Sequence, residues 1–351
     1  MRDLGKIWLY VADSSCRGYS PIYERICRTV AESDEVLDLV SEAPPVAHNP
    51  VLLLAAVHYL LLGGLDHPLA AVYAGESEAD PGPLFVDLCL ENRDVILELL
   101  ATQQVNTNEV GRSAVIGPAL TVVASRLSAP LGFVDVGCSA GLNLFCDRYR
   151  LDYGAARASG PDDAPVQIRC EVVGGSPPIA PMLPVIAARV GLDRAPVDLH
   201  DPDQSRWQLA CSWPDTGRLA RTRLALEEAR RGSLTVIRGD AVEGVGAVIE
   251  SLPRDASAVV MTTWVVAYFS PEQRAGFRDA LAAASASRPV AWISAETHGV
   301  VDLIPSEGIP SDPGGLEWSV LGLVIFRNGE PEPELLGCVH PHGSQLDWRL
   351  H

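Results

Sequence analysis

The residues of this 351-residue chain with the strongest chemical potential form one short run, Asp135-Val136-Gly137-Cys138-Ser139-Ala140-Gly141, at the end of an apolar stretch that begins at Leu131. Glycines in such a turn let the backbone approach a ligand closely, and amides at the start of a following helix can receive an anion or a polar group. Residues 137–141 also spell G-x-S-x-G, the pattern of a strand-to-helix elbow bearing a nucleophilic serine. A triad built on Ser139 would draw its acid from Asp240 or Asp302 and its base from His298, His340 or His342. Upstream, Thr107-Asn108-Glu109-Val110-Gly111-Arg112-Ser113 gathers amide, acid and guanidinium. Asn108 or Ser113 suits a helix cap, Arg112 suits a carboxylate of cofactor or substrate, and Glu109 suits the deprotonation of a nucleophile. Asp147 to Gly154 is a second polar and aromatic cluster, expected on the substrate side. Trp264 and Tyr268 are candidates for an aromatic wall, Glu296-Thr297-His298 offers a general base or a solvated loop, and His340-Pro341-His342-Gly343 reads as a turn, with no metal site expected.

The elements that must position these residues fall into two kinds. Up to residue 130, apolar residues recur at helical spacing over Ile22 to Val40, Pro50 to Leu62, Leu84 to Leu100 and Val115 to Leu127, which predicts a helical N-terminal cap. From 131 to 351, short β-branched runs alternate with helical stretches. Strands are expected at Leu131–Val136, Ala188–Leu192, Leu234–Ile237, Ala258–Thr262 and Val290–Ser294. Helices are expected near Leu142–Arg148, Thr216–Arg231, Glu243–Ser251 and Pro271–Ala284. Such alternation argues for an α/β sandwich with a mostly parallel sheet. The runs Trp318–Phe326 and Pro333–His340, joined through Asn328-Gly329, predict a terminal antiparallel hairpin. An insertion at about 150–187 separates the first two strands, with a loop at Gly154–Pro165 and an extra strand at Val166–Val173. The cap is expected to close over the sheet domain and help form its site.

The acidic residue and glycine turn at 135–141 resemble motif I of class I S-adenosylmethionine-dependent methyltransferases. The resemblance implies a Rossmann-like fold in which Gly137, Ser139 and Gly141, with Asn143 beyond them, line the methionine part of the cofactor and Asp135 sits beneath it. It further implies that Asp193, or alternatively Asp198, accepts the ribose hydroxyls after the second strand. Gly239-Asp240-Ala241 would meet the adenine after the third, and Thr263 with Trp264 would close the fourth beside substrate or adenine. Asp135 and Asp193 are 58 residues apart, a long β-α-β step. The elbow pattern resembles α/β-hydrolases instead, but helical sequence precedes it and no His-Gly-Gly stretch lies upstream. The stretches TNEVGR, DVGCSAGLNL, DRYRLDYG and HPHG, with the overall length, resemble a bacterial family called domain of unknown function 2332. That resemblance implies the methyltransferase-like core and brings no assigned substrate.

Composition narrows the chemistry. There are 27 basic and 45 acidic residues, a net charge of −18, with 8 and 17 of them up to residue 130 and 19 and 28 after it. Nucleic acid and anionic membranes are therefore not expected partners, since both are bound through Lys and Arg. Lys6 is the only lysine, which excludes P-loop, kinase-type and Schiff-base chemistry. Eight scattered cysteines with no C-x-x-C pair and no secretory leader predict reduced thiols in a cytoplasmic protein. The longest apolar run, Val51–Leu62, is too short to span a bilayer. The expectation is thus a methyltransferase that moves the sulfonium methyl of S-adenosylmethionine to a small molecule, with Glu109 as proton acceptor and Trp264 and Tyr268 shaping the pocket. A serine hydrolase using Ser139, or a non-catalytic ligand-binding protein on the same scaffold, are the alternatives.

Overall fold

The computed structural model describes residues 2–127, 130–155, 157–305, 307–309 and 318–350. Helices α1 (Arg2–Val11), α2 (Pro21–Ala31), α3 (Asp34–Glu42), α4 (Pro50–Leu62), α5 (Leu69–Tyr73), α6 (Pro81–Glu91), α7 (Arg93–Thr102) and α8 (Ser113–Arg126) come first. Strands β1 (Leu131–Val136), β2 (Arg150–Asp152), β3 (Ala158–Ser159), β4 (Gln167–Arg169), β5 (Glu171–Gly174) and β6 (Ile186–Asp193) follow. Then come α9 (Pro202–Ala210), α10 (Arg218–Arg231), β7 (Thr235–Arg238), α11 (Ala241–Ser251), β8 (Ser257–Thr263), α12 (Pro271–Ala284) and β9 (Val290–Glu296). Strands β10 (Ser319–Arg327), β11 (Glu330–Val339) and β12 (Gln345–Trp348) end the chain.

Contacts divide the described residues into two units, 2–107 with 198–223, and 108–197 with 224–309 and 318–350. The first is helical, and its starts are written in the sequence. Ser20-Pro21, Asn49-Pro50, Asp80-Pro81 and Asp201-Pro202 open α2, α4, α6 and α9, each cap oxygen accepting a backbone N–H one or two residues beyond the proline. Proline fits there because an N–H at the first helical position would have no intrahelical partner. The single periodic stretches expected over 22–40 and 84–100 are each two helices. Ser33 caps α3 by accepting the Val36 N–H, and Asn92 stands between α6 and α7. The core of this unit holds Trp8, Tyr23, Ile26, Phe85, Trp207 and Trp213.

The second unit is built on a nine-stranded sheet in the order β5-β12-β11-β10-β9-β8-β1-β6-β7, with a separate small sheet β3-β2-β4. Five neighbours, β7, β6, β1, β8 and β9, are parallel, and in chain order they run third, second, first, fourth, fifth. The hairpin β10–β11 is antiparallel and turns through Asn328 and Gly329, both at positive φ, as the sequence predicts. It does not end the sheet, however. Strand β12 pairs beyond it, and β5, from the insertion, pairs in turn with β12. The single strand expected at Val166–Val173 is therefore two short strands in different sheets. The helix expected after β1 is a 3₁₀ stretch, Leu142–Arg148, kinked at Phe145.

One face of the sheet is covered by α11 and α12, where Val245, Ile249, Phe277 and Leu281 pack with Val134, Val136, Val190, Leu192 and Val260. Asp135 lies between two residues of that face, so the two-residue period of a strand sends its side chain to the opposite one.

Candidate functional site

The strand order reverses between β1 and β8, so the loop after β1 and the end of β8 flank a topological switch point, where open α/β sheets bind ligands. Two non-glycine residues at this point have positive φ, Ser139 at 53° and Trp264 at 59°. Such values are uncommon for any L-residue and strained for a bulky one, and they persist only where surroundings enforce them. Trp264 is fixed by its N–H to Ala295 O (3.1 Å) and its indole N–H to Ser319 Oγ (2.8 Å). The next turn is gathered by Glu296, at the end of β9. Its carboxylate accepts the Val265, Val266 and Ala267 N–H groups at 3.1–3.3 Å and a side-chain hydrogen bond from Thr262. Burial raises the Glu296 pKa, and these donors pull against that rise. A small cleft beside it is lined by Ser294, Glu296, Thr297 and Val301.

The loop itself donates inward. Gly137 N–H goes to Leu192 O, Ser139 N–H to Asp193 Oδ2 (2.8 Å), Gly141 N–H to Cys138 O and Leu142 N–H to Asn108 Oδ1 (2.8 Å). Asp193 also accepts the Ala195 N–H through Oδ1 (2.8 Å), and its carbonyl accepts the Gly239 N–H (2.9 Å). A carboxylate thus sits where a phosphate-binding loop would present open amides. Asp135 is buried beneath, and its pKa is raised well above the ordinary value by burial and by the Asp193 charge, with Arg112 acting the other way. Asp240 caps α11 through the Val242 and Glu243 N–H groups, and its pKa is lowered first by the Arg194 guanidinium.

Residues 108–113 tie the carboxyl ends of the strands together. Asn108 holds Leu142, and Ser113 Oγ donates to Asn143 Oδ1 (2.9 Å), joining the segment to the loop after β1. Arg112 donates Nη1 to Thr263 O and Nε to Pro341 O, both at 3.0 Å, joining it to the ends of β8 and β11. Strand β11 runs in the same direction as β9, because both are antiparallel to β10, so its outgoing His340–Gly343 turn emerges on the same edge. There Glu109, 2% exposed, accepts the Gly111 N–H through Oε1 (2.9 Å) and faces His342 Nδ1 through Oε2 at 3.4 Å. The contact is close: a Cβ on Gly111 would lie 2.3 Å from the His342 carbonyl oxygen.

A family model spans residues 8–348. The chain belongs to DUF2332, a family described as uncharacterised proteins conserved in bacteria. No curated protein and no solved structure matches it.

In this DUF2332 chain the residues singled out from the sequence separate into groups. Asp135, Gly137, Ser139, Gly141, Asn143 and Asp193 come together around the first loop, while Gly239, Asp240 and Ala241 stand at the end of β7 and the start of α11. Thr263 and Trp264 close β8, and Glu109 and Arg112 lie in the connecting segment. Tyr268 is 82% exposed and lines no wall. Asp198 lies in the helical unit, where its carboxylate accepts the His200 N–H. The Asp147–Tyr153 cluster holds the fold: Asp147 pairs with Arg189, Arg148 with Glu228, and the Tyr149 and Tyr153 hydroxyls donate to Leu142 O and Ala114 O. Asp302 pairs with Arg278 at the surface. The Glu109–His342 pair joins positions over 230 residues apart; its one sequence signal was the glycine next to each polar motif. All eight cysteines are free and buried. Among the described residues, no group of three or more His, Cys, Asp or Glu is disposed to hold a metal, and no helix is long and apolar enough to cross a membrane.

Proposed function

We propose that the sheet unit binds S-adenosylmethionine at the carboxyl ends of β1, β6 and β7 and methylates a small molecule. The observation that carries this reading is the switch-point loop whose Gly137, Ser139, Gly141 and Leu142 amides are already engaged by Asp193, Asn108 and backbone carbonyls. A loop of this shape with open amides suits a diphosphate. With the Asp193 carboxylate on Ser139 N–H, it disfavours a polyanion and favours a ligand that carries positive charge.

The residues fit such a cofactor by chemistry: Gly137, Ser139 and Gly141 beside the methionine part, Asp193 at the ribose, Gly239 to Ala241 at the adenine, Thr263 and Trp264 toward the acceptor. When bound, it supplies a methyl group on its own leaving group. The protein's contribution is then alignment of the acceptor and exclusion of water, worth several orders of magnitude through proximity alone. The general negative charge favours a small neutral or cationic acceptor over nucleic acid.

Isothermal titration of the full chain with S-adenosylmethionine, its demethylated product, NAD and ATP tests the proposal. The first two should bind, with affinity reduced at least tenfold in Asp193→Ala, and the nucleotides should not. Saturable binding of NAD or ATP with no response to either methionine derivative would overturn it. The positive φ of Ser139 within G-x-S-x-G favours one second reading, acyl transfer, which predicts fluorophosphonate labelling that disappears in Ser139→Ala.

A further inference from the structure

Asp240, assigned above to the adenine, is a carboxylate whose acceptor positions are all in use. A carboxylate offers about four lone-pair sites. Oδ1 accepts the Val242 N–H (2.8 Å) and the Glu243 N–H (3.3 Å), and Oδ2 accepts both the Nε–H (3.1 Å) and the Nη2–H of Arg194. The two backbone donors are fixed, because they belong to the first turn of α11 and its cap would be lost with them. Arg194 is held differently. Its backbone is pinned, since its carbonyl accepts Arg238 Nη1–H (3.1 Å) and the adjacent Asp193 carbonyl accepts the Gly239 N–H (2.9 Å). Its side chain is 66% exposed, so the guanidinium is the one partner of Asp240 that can leave without disturbing an element.

We infer that Arg194 gates the adenine site: its guanidinium holds the Asp240 oxygen that the adenine amino group must bond, and it turns out into water when the purine arrives. This deepens the S-adenosylmethionine reading and rests on it. The exchange is one of hydrogen bonds alone. Asp240 Oδ2 releases the two Arg194 N–H groups and accepts one amino N–H, water takes up the freed guanidinium, and Oδ1 keeps its two donors, so the start of α11 is unchanged. Asp193 needs no such exchange, because it accepts one N–H on each oxygen, Ser139 on Oδ2 and Ala195 on Oδ1. A purine with a carbonyl in place of the amino group has no N–H to offer Oδ2, and its oxygen suits the Arg194 guanidinium instead. An exposed ion pair contributes at most about a fivefold factor to an equilibrium, so the gate lowers cofactor affinity by no more than that. Salt screens the pair and therefore eases the opening.

The test is isothermal titration of the full chain with S-adenosylhomocysteine and with its inosine counterpart, which carries the carbonyl. S-adenosylhomocysteine has no net charge, so salt acts on its binding mainly through the ion pair. Wild-type affinity for it should rise about two- to fivefold between roughly 0.01 M and 1 M salt, as the Debye length falls from about 30 Å to about 3 Å. At low salt Arg194→Ala should bind it about two- to fivefold more tightly than wild type and should lose the salt response. Arg194→Lys, with a single ammonium in place of the planar fork, should fall between the two. The inosine counterpart should gain nothing in Arg194→Ala. In ¹⁵N-arginine NMR, the Nε–H signal absent from Arg194→Lys should exchange slowly with water in the free protein and faster once S-adenosylhomocysteine saturates the site. Equal or weaker binding of S-adenosylhomocysteine by Arg194→Ala, a gain shared by the inosine counterpart, or an Nε–H signal that saturation leaves unchanged overturns the gate and leaves the S-adenosylmethionine reading standing. Absence of S-adenosylhomocysteine binding in both wild type and Arg194→Ala overturns that reading, and the gate with it.

Discussion

The approach of residues 108–113 to the 340–343 turn can be probed by one methyl group. Gly343 has φ +73°, and a Cβ built on it lies 2.1 Å from Gly111 O, 2.4 Å from Gly111 C and 2.8 Å from Arg112 N, all backbone atoms, whereas real Cβ atoms stay about 3 Å or more from such neighbours. In Gly343→Ala the left-handed conformation costs about 1–2 kcal/mol. Relieving the overlap requires the two backbones to separate by several tenths of an ångström, which adds roughly 1–3 kcal/mol on the scale of overpacked sites. Gly299→Ala is the control: φ is +72°, and nothing lies within 4 Å of the added carbon, so only the conformational cost applies. At about 2–4 °C per kcal/mol for a unit of this size, thermal unfolding should separate the two variants by several degrees, Gly343→Ala melting lower. Equal melting temperatures for the two variants would refute the close backbone approach, and with it the positioning of Glu109 against His342.

Three further outcomes follow from the same geometry. The raised Asp135 pKa means that the folded state holds more protons than the unfolded state above the ordinary value of 3.8, so this group's contribution to stability falls as pH rises through that window. Asp135→Asn should therefore gain in melting temperature relative to wild type between pH 4 and 7; a variant less stable than wild type at pH 7 contradicts this. In the helical unit, His58 is buried, bonded through Nδ1 to Ala210 O, and its pKa is lowered to about 4 chiefly by burial. The unfolded state then binds the proton first, so stability should drop as pH falls from 6.5 toward 4, by up to about 3 kcal/mol at 1.36 kcal/mol per pH unit. His58→Gln should flatten that slope in a denaturant series, and an unchanged slope would count against the assignment. Glu296→Gln replaces an acceptor of three backbone N–H groups by an amide that must turn a donor toward one of them; a loss of about 2–4 kcal/mol and a shift in Trp264 emission are expected in urea titrations followed by fluorescence.

The elements of the sheet unit were legible because their signals are local. Leu131–Val136 and Pro271–Ala284 have the bounds that β-branched runs and a Ser-Pro cap imply, and Asn328-Gly329 turns the hairpin it announces. Helical periodicity missed the breaks at Ser33 and Asn92, since apolar spacing persists across a change of helix axis; the run Ser33-Asp34-Glu35 carried a cap signal that spacing alone does not weigh. The fate of the insertion was illegible for a different reason. Whether a four-residue β-rich run such as Glu171–Gly174 joins the small sheet or the edge of the large one depends on which partner it meets, and its partner β12 lies over 170 residues away.

The loop at 137–141 marks the limit more sharply. Its glycine spacing is equally compatible with a phosphate cradle, a cofactor turn and a nucleophile elbow, because all three need the same backbone. What separates them is where the N–H groups point, and that is decided by Asn108 before the loop and Asp193 after it, each reaching back to one amide. Replacing those two side chains frees two donors without altering the motif. Asn108→Ala with Asp193→Ala should therefore raise the loop's affinity for inorganic phosphate while leaving the sheet folded, as followed by equilibrium dialysis and circular dichroism. If phosphate binding stays as weak as in wild type, occupancy of the amides is not what sets the charge preference of this site, and the argument for a cationic ligand loses its basis.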